Sequence, residues 1–423
     1  MRTAARGPGG PDPASENAPC EAGARGVGGH GRGGGVRTAT DDADRRALRE
    51  GIRELCATFP PAYWRELDRE RAYPEAFVRA LTDAGYLAAL IPEAYGGSGL
   101  GVTEGSIILE EVHRSGGNAA ACHAQMYTMA TVLRHGSETQ KAMLLPALAR
   151  GEARLQAFGV TEPTSGSDTT HLGTRAVRRG DRWVVDGAKV FTSRVGHSDY
   201  MLLLARTTPL EAVARASRGL SVFLVDLREA VGRGLRVTPI ETMMNHDTNA
   251  LSLEGLELPL DALVGEEGQG FAYILDSMNA ERILIAAECI GDGDWFVGKA
   301  SAYATARTVF ARPIGQNQGV SFPIARAYAA LRAADLMRYE AAARFDRGEA
   351  AGAEANMAKL LASEASWQAA NAAVQTLGGY AFAREADVER KFRETRLYQV
   401  APVSTNLILS YIAEHVLGMP RSY

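Results

Sequence analysis

The chain has 423 residues, of which 46% are hydrophobic and 23% charged, and its formal net charge is −4 at pH 7. This composition is typical of a globular protein with two or three domains. The slightly acidic balance gives no basic surface for nucleic acid, and the longest apolar runs, such as residues 283–287, are too short to span a bilayer.

The four cysteines lie far apart and form no Cys-x-x-Cys pair, which indicates reduced thiols in a cytoplasmic protein. The eight histidines show no His-Glu-x-x-His or mixed Cys/His spacing. We therefore expect no metal site.

Residues 1–40 are dominated by glycine with scattered arginine and contain almost no large apolar side chain. Such a segment cannot bury enough surface to fold, so the sequence predicts a disordered extension. It lacks the apolar core of a secretory signal, and its glycine content argues against a Ser-rich transit peptide.

Residues 41–156 are expected to form a helical domain, beginning at an N-cap with acidic first-turn residues at Thr40-Asp-Asp. A glycine-rich Ile-Pro-Glu-Ala-Tyr-Gly-Gly turn at residues 91–97 interrupts the helices. The helical pattern covers residues 45–58, 74–84, 103–115, 119–135 and 137–150.

The pattern changes to short β-type runs between residues 157 and 267, separated by Gly, Asp and Pro at the spacing of antiparallel strands. We predict an antiparallel β-domain, either a barrel or a sandwich. Its clearest strands are residues 182–186, 200–206, 220–226, 235–240 and 250–258.

Residues 268–423 return to a helical pattern and are predicted to form a C-terminal four-helix bundle. Ala286, Ala287 and Gly291 would allow close helix approach. The fold class is therefore α+β and multidomain, and the four expected helices cover residues 270–306, 320–347, 351–377 and 404–417.

Five short segments stand out from this framework. Residues 157–168 read Ala-Phe-Gly-Val-Thr-Glu-Pro-Thr-Ser-Gly-Ser-Asp, a strand that breaks into a loop exposing backbone N–H groups and hydroxyls. Taken singly, each segment fits an ordinary turn, cap or core strand. The others are Lys-Val-Phe-Thr-Ser-Arg at 189–194, Arg-Thr-Val-Phe at 307–310, Gly-Gln-Asn-Gln-Gly-Val-Ser-Phe at 315–322 and Gln-Thr-Leu-Gly-Gly at 375–379.

In this order the segments, together with the turn at 91–97, resemble the FAD-dependent acyl-CoA dehydrogenase family over about residues 42–420. The resemblance implies that Thr161 and Ser167 contact the flavin, that Phe191 packs against the isoalloxazine and that Ser193 approaches flavin N5. Arg307 would hold the pyrophosphate with its forked donors. The other positions expected to bind FAD are Phe158, Val160, Thr192, Phe310, Asn317, Gln318, Gln375, Gly378, Gly379, Ser404 and Asn406.

In the family, the Gln-x-Leu-Gly-Gly loop reaches the FAD of the neighbouring subunit. The resemblance therefore implies a homo-oligomer, commonly a dimer of dimers, in which each FAD is bound by two chains.

The family reaction removes the proton α to a thioester while the β-hydride passes to the flavin, so it needs a desolvated carboxylate base. In most members the base is the Glu of a Tyr-Glu-Gly-Thr stretch. This chain has Tyr398-Gln-Val-Ala-Pro-Val-Ser. One alignment places Pro402 on the glutamate and a second, shifted by one, places Ala401 there, so the usual base is absent in both.

Isovaleryl- and long-chain-type relatives carry the base on the facing helix, directly before an arginine. Glu281 matches that position and is followed by Arg282 and an apolar run that would raise the pKa of the carboxyl. The alternative is that Glu281 pairs with a cation or faces solvent. Ser167, Asn279 and Arg282 match substrate-contact positions.

The resemblance thus implies α,β-dehydrogenation of an acyl thioester, carried on coenzyme A or a carrier protein, in fatty acid metabolism. Electrons would pass to an electron-transferring flavoprotein. The missing usual base leaves two alternatives open: the same flavoprotein fold with altered chemistry (a desulfination-type elimination or an oxygen-using oxidation), or a non-catalytic thioester-binding protein.

Overall fold

The computed structural model describes residues 40–421, and side chains from residue 43 onward. The predicted disordered extension falls almost wholly on residues 1–39, which lie outside the described part. Within residues 40–421, helices precede and follow a central β-sheet, which confirms the predicted fold class.

The N-terminal helices agree with the sequence pattern except at α2, which was not predicted because Pro60 and Pro61 indicate a break. Proline is tolerated in the first helical turn, since its missing N–H would be unbonded there anyway. The helices are α1 (Thr40–Ala57), α2 (Pro61–Glu70), α3 (Glu75–Asp83), α4 (Val102–Arg114), α5 (Ala120–His135) and α6 (Glu138–Ala149).

The central region forms an eight-stranded sheet in the order β6-β7-β3-β2-β4-β5-β8, with β1 added in parallel to β4. The sheet stays open and does not close into a barrel. β2 was not predicted because its largely exposed, arginine-rich sequence carries little strand pattern. The elements are β1 (Leu155–Gly159), β2 (Arg175–Arg179), β3 (Arg182–Ser193), β4 (Tyr200–Arg206), β5 (Leu220–Asp226), α7 (Leu227–Ala230), β6 (Leu235–Ile240), β7 (Thr248–Pro259) and β8 (Leu263–Val264).

Three long helices dominate the C-terminal region, and a short hairpin separates the first from the second. The predicted fourth helix is shorter than expected, because an α-helix of seven residues passes into a π-helical turn at Ile412–Val416. The elements are α8 (Gly270–Ala306), β9 (Thr308–Val309), β10 (Arg312–Pro313), α9 (Gln318–Asp346), α10 (Gly352–Leu377), α11 (Val388–Arg396) and α12 (Thr405–Tyr411).

Helix α11 was missed because six of its nine residues are charged. Arg390, Lys391 and Glu394 are nevertheless buried. They form ion pairs with one another and with Asp292 on α8, so the charges are compensated inside the protein. Hydrophobic periodicity cannot detect a helix buried in this way.

Helix α8 is the element against which the site is built. Gly291 permits the close crossing with α4, since a Cβ there would collide with the carbonyl oxygen of Glu110. Helix α5 packs on α8 and also on strand β1, so it connects the sheet to the bundle. No helix in residues 40–421 is long and apolar enough to cross a membrane.

Candidate active site

The first two flavin-like segments are joined by a buried ion pair. The Lys189 ammonium donates to the Val160 carbonyl at 3.1 Å and to Glu162 Oε1 at 2.9 Å. Glu162 also accepts from the backbone N–H groups of Gly173 at 2.6 Å and Thr174 at 2.9 Å. These bonds fix the loop that follows β1 against strand β3.

Burial lowers the pKa of Lys189 to about 8. Burial alone would raise the pKa of Glu162, but the charge of Lys189 and the hydrogen bonds from Thr174 outweigh it, so the pKa is lowered. Both groups therefore stay ionised, and the backbone N–H of Val190 donates to Thr161 O at 2.9 Å beside them.

Phe191 has a left-handed backbone, with φ of 58°, at an irregularity in β3, and its side chain is 64% exposed. A phenylalanine in a regular strand would pack in the core without this strain. The adjacent Thr192 hydroxyl is buried without a hydrogen-bond partner. An exposed ring next to an unpaired hydroxyl fits a flat, polar-edged ring system such as a flavin.

The other residues of the first segment lie nearby. Thr161 and Val160 are half-buried after β1, and Ser167 is exposed at the end of the loop. The ring of Phe158 lies 6.1 Å from that of Tyr127 on α5. Ser193 is half-buried at the end of β3.

The segments matched to the adenosine diphosphate half lie elsewhere, at the far end of α8. Phe310 is 96% exposed at the tip of the β9–β10 hairpin, again with a positive φ of 52°. Tyr303 lies 6.2 Å from Tyr380 between ring centroids, which places the Gly378–Gly379 turn beside this hairpin. Asn317 accepts from Arg312, whereas Arg307, Gln318 and Gln375 have exposed side chains.

The structure does not bring these two groups together within one chain. Helix α8 rises about 38 Å between Glu281 and Ala306. The hairpin at Phe310 therefore lies too far away to serve a flavin bound beside Glu281 of the same chain.

Glu281 is buried in the first third of α8. The Tyr127 side chain and the charges of His123, Arg282 and Lys359 act on its carboxyl. Burial raises the pKa of Glu281 to about 7, although these four neighbours all lower it. The sequence-based alternative of a solvent-facing glutamate is therefore wrong.

Arg282 is also buried, and burial lowers its pKa. Its Nη1 donates to Asn279 Oδ1 at 2.9 Å, while its Nε is buried without a partner. An unpartnered donor on a buried guanidinium can bind a ligand oxygen. Asn279 and Arg282, which were predicted to contact substrate, thus contact each other.

The loop at residues 397–404 supplies backbone and hydroxyl groups but no carboxylate. Ala401 and Pro402 are half-buried, and the Val403 carbonyl accepts from Lys359 Nζ at 2.6 Å. The Ser404 hydroxyl caps α12 by accepting from the Leu407 N–H at 3.2 Å, and the predicted flavin contact Asn406 is exposed.

Sequence reasoning missed His123, Tyr127 and Lys359. His123 and Tyr127 are four residues apart in a predicted helix, so they share a face, and that spacing was the available signal. Lys359 lies in an alanine-rich helix, where a single lysine normally indicates the solvent side. Among the described residues, no cluster of His, Cys, Asp and Glu could hold a metal ion.

Comparison with known proteins gives matches across the chain. The family descriptions "Acyl-CoA dehydrogenase, N-terminal domain", "middle domain" and "C-terminal domain" match residues 42–152, 157–256 and 268–417. Acyl-CoA dehydrogenase fadE12 of Mycobacterium bovis is 32% identical over 388 residues, covering 90% of this chain and 98% of that protein.

Two solved structures are similar throughout. The structure of the glutaryl-coenzyme A dehydrogenase glutaryl-CoA complex has a TM-score of 0.83 at 29% identity, covering 90% of this chain and 96% of that one. The prolyl acyl carrier protein oxidase AnaB also gives 0.83, at 25% identity and over 89% and 99% of the two chains.

Proposed function

This chain belongs to the acyl-CoA dehydrogenase family, and we propose that it removes the α-proton of an acyl thioester with Glu281 as the base. It is a flavin oxidoreductase acting on CH–CH groups, and its cofactor is FAD. Bound FAD supplies the acceptor for the hydride that leaves the β-carbon. The product of this reaction is the enoyl thioester.

The observation that carries the proposal is the state of Glu281. Its carboxyl is buried, has no competing base in residues 397–404 and has a pKa raised to about 7. A base is most effective when its pKa lies near the working pH, because it is then both sufficiently ionised and sufficiently basic. Phe158 connects the flavin segment to this carboxyl through Tyr127.

We propose that Arg282 and Asn279 position the thioester. The unpartnered Arg282 Nε is available to a ligand oxygen, and the Asn279 carbonyl holds the guanidinium by accepting from Nη1. We propose that Ser167, exposed at the end of the flavin loop, contacts both the thioester ligand and the flavin.

The direct test is Glu281→Gln. The variant should retain FAD but lose anaerobic bleaching of the flavin by a panel of straight- and branched-chain acyl-CoA thioesters, by a factor of about 10² to 10⁴. Asp276→Asn is the matched control, since Asp276 also lies on α8 but is 52% exposed. Bleaching of Glu281→Gln at the wild-type rate would show that another group is the base.

We further propose a cytoplasmic homo-oligomer, a dimer of dimers, that passes electrons to an electron-transferring flavoprotein. The separation of about 38 Å along α8 supports the oligomer, because the Phe310 hairpin can then serve the FAD of another chain. The buried free thiols Cys56, Cys122 and Cys289 agree with a reducing compartment. Sedimentation analysis and flavin reoxidation by an added electron-transferring flavoprotein test the two claims separately.

A second candidate is an oxidation that uses oxygen directly, on a thioester of a carrier protein. It is favoured by the likeness to a structure described as a prolyl acyl carrier protein oxidase and by the missing glutamate at 401–402. Oxygen uptake that needs no flavoprotein acceptor would favour this candidate. A desulfination-type elimination would instead release sulfite, and a non-catalytic protein would bind thioester without bleaching the flavin.

A further inference from the structure

Helices α5 and α8 run antiparallel and carry two histidine–carboxylate pairs in register. His123 Nδ1 lies 2.9 Å from Glu288 Oε1, and His135 Nε2 lies 3.2 Å from Asp276 Oδ2. Each imidazole also stacks on a tyrosine: His123 on Tyr127, with centroids 5.8 Å apart, and His135 on Tyr273, at 4.0 Å. We call these the inner and the outer pair.

The two pairs differ in burial and in what they contact. The Glu288 side chain of the inner pair is fully buried, whereas Asp276 of the outer pair is 52% exposed. Tyr127 of the inner pair reaches the Glu281 carboxyl with its hydroxyl. The inner pair therefore adjoins the proposed base, while the outer pair ends at the surface.

His123 is the nearer of the two imidazoles beside Glu288, at 2.9 Å against 3.8 Å for His113. His113, whose Nε2 lies 3.8 Å from Glu288, accepts the Ala119 N–H at that same atom at 3.0 Å. His113 Nδ1 lies 2.8 Å from Asp292, so this ring is held by Ala119 and Asp292 rather than by Glu288. Lys391 is engaged by Asp292 as well.

We propose that His123 is a positioning residue for Glu281: lying 2.9 Å from Glu288, it packs on the Tyr127 ring and keeps that ring beside the base. This inference rests on the proposed role of Glu281. The imidazole and the hydroxyl both favour the ionised carboxylate, so they oppose the effect of burial and keep the base usable near neutral pH.

The groups that face Glu281 come from three helices. His123 and Tyr127 lie on α5, Arg282 on α8 and Lys359 on α10, and all four lower the pKa of the carboxyl. Arg282 contacts Asn279 and Lys359 bonds Val403, so their positions are fixed independently of α5. Changes to the inner pair should therefore act on one part of this environment only.

The experiment measures the rate of anaerobic flavin reduction by an acyl-CoA thioester against pH, in FAD-loaded wild type, His123→Asn and Tyr127→Phe. We expect the pH of half-maximal rate to move upward by about one unit in His123→Asn and by less in Tyr127→Phe. The rate should recover at high pH, and FAD content should be unchanged. His135→Asn, the outer-pair control, should keep the wild-type profile.

A folded His123→Asn with the wild-type pH profile, or with a loss that is equal at every pH, overturns the proposal. If His123→Asn does not fold, because Glu288 is left unpaired, Tyr127→Phe decides it by the same profile. Glu281→Gln separates the two claims. If that variant bleaches at the wild-type rate, the proposal that Glu281 is the base is wrong. If it does not bleach but the inner-pair variants keep the wild-type pH profile, only the proposed role of His123 is wrong.

Discussion

Two buried glutamates, one in the sheet region and one in the bundle, behave in opposite ways. Glu162 is paired with Lys189 and accepts two backbone N–H groups, and its pKa is lowered. Glu281 is surrounded by cationic and hydroxyl groups but forms no ion pair among the described residues, and its pKa is raised to about 7. Both side chains are shielded from solvent, but Glu281 lies deeper than Glu162, so depth and direct partners together make the difference.

The comparison separates structural from reactive carboxylates. A carboxylate whose charge is fully compensated by hydrogen bonds fixes a loop, and protonation would not stabilise it. A charge that is only partly compensated is held near its point of protonation, which is the property that a base requires.

The largest effect is expected for Lys189→Met. It leaves Glu162 buried without its cation, and breaking such a pair costs about 3 to 5 kcal/mol of unfolding free energy. The loop carrying Thr161 should loosen, so FAD should be lost as well. Urea unfolding and flavin absorbance after gel filtration measure the two consequences.

The double variant Lys189→Met/Glu162→Leu is the matched control, since it removes both charges and should regain much of the stability. Lys141→Met, at a pair with the exposed Glu138, should change stability by less than about 1 kcal/mol. If Lys189→Met alone unfolded like wild type, the pair would not be holding the loop.

The next effect concerns stability against pH at Glu281. Its pKa is about 7 in the folded protein and 4.5 as an ordinary glutamate, so the neutral form is favoured by folding. The stability this provides is fully present below pH 4.5 and is lost as the pH rises to 7, a difference of about 3 kcal/mol.

Glu281→Gln removes that titration. Its unfolding free energy, followed by urea titration from pH 5 to 8, should therefore rise relative to wild type by up to about 3 kcal/mol. The corresponding Glu162→Gln variant should be less stable than wild type by a constant amount over this range, because the pKa of Glu162 is lowered and the stability from its ionised form is fully present above pH 4.5. Parallel curves for wild type and Glu281→Gln would contradict a raised pKa.

The sequence predicted most of the sheet and the long helices, because their hydrophobic periods are strong. It also placed Glu281 in an apolar setting, since the neighbouring residues on α8 are aliphatic. It could not predict that Lys189 holds Glu162, or that His123 and Tyr127 adjoin the base, because these contacts join residues distant in the chain. Helix α11 was missed for a related reason: its charges are paired only in the folded protein.

Strain gives the smallest effect, and Phe191 and Phe310 allow it to be measured. Both have a left-handed backbone and exposed rings, and glycine at such a position relieves about 1 kcal/mol. Phe191→Gly should therefore make the FAD-free protein more stable by about that amount while weakening FAD binding, since an aromatic contact contributes about 0.5 to 1.5 kcal/mol.

Phe310→Gly should give the same gain in stability, but its effect on FAD should appear only in the assembled oligomer, since the hairpin lies far from Glu281 of its own chain. Two measurements distinguish the variants. The first is thermal unfolding of the FAD-free protein, and the second is flavin titration at protein concentrations above and below the one at which the oligomer dissociates. A Phe191→Gly variant that binds FAD as tightly as wild type would mean that the strained ring is not part of the flavin site.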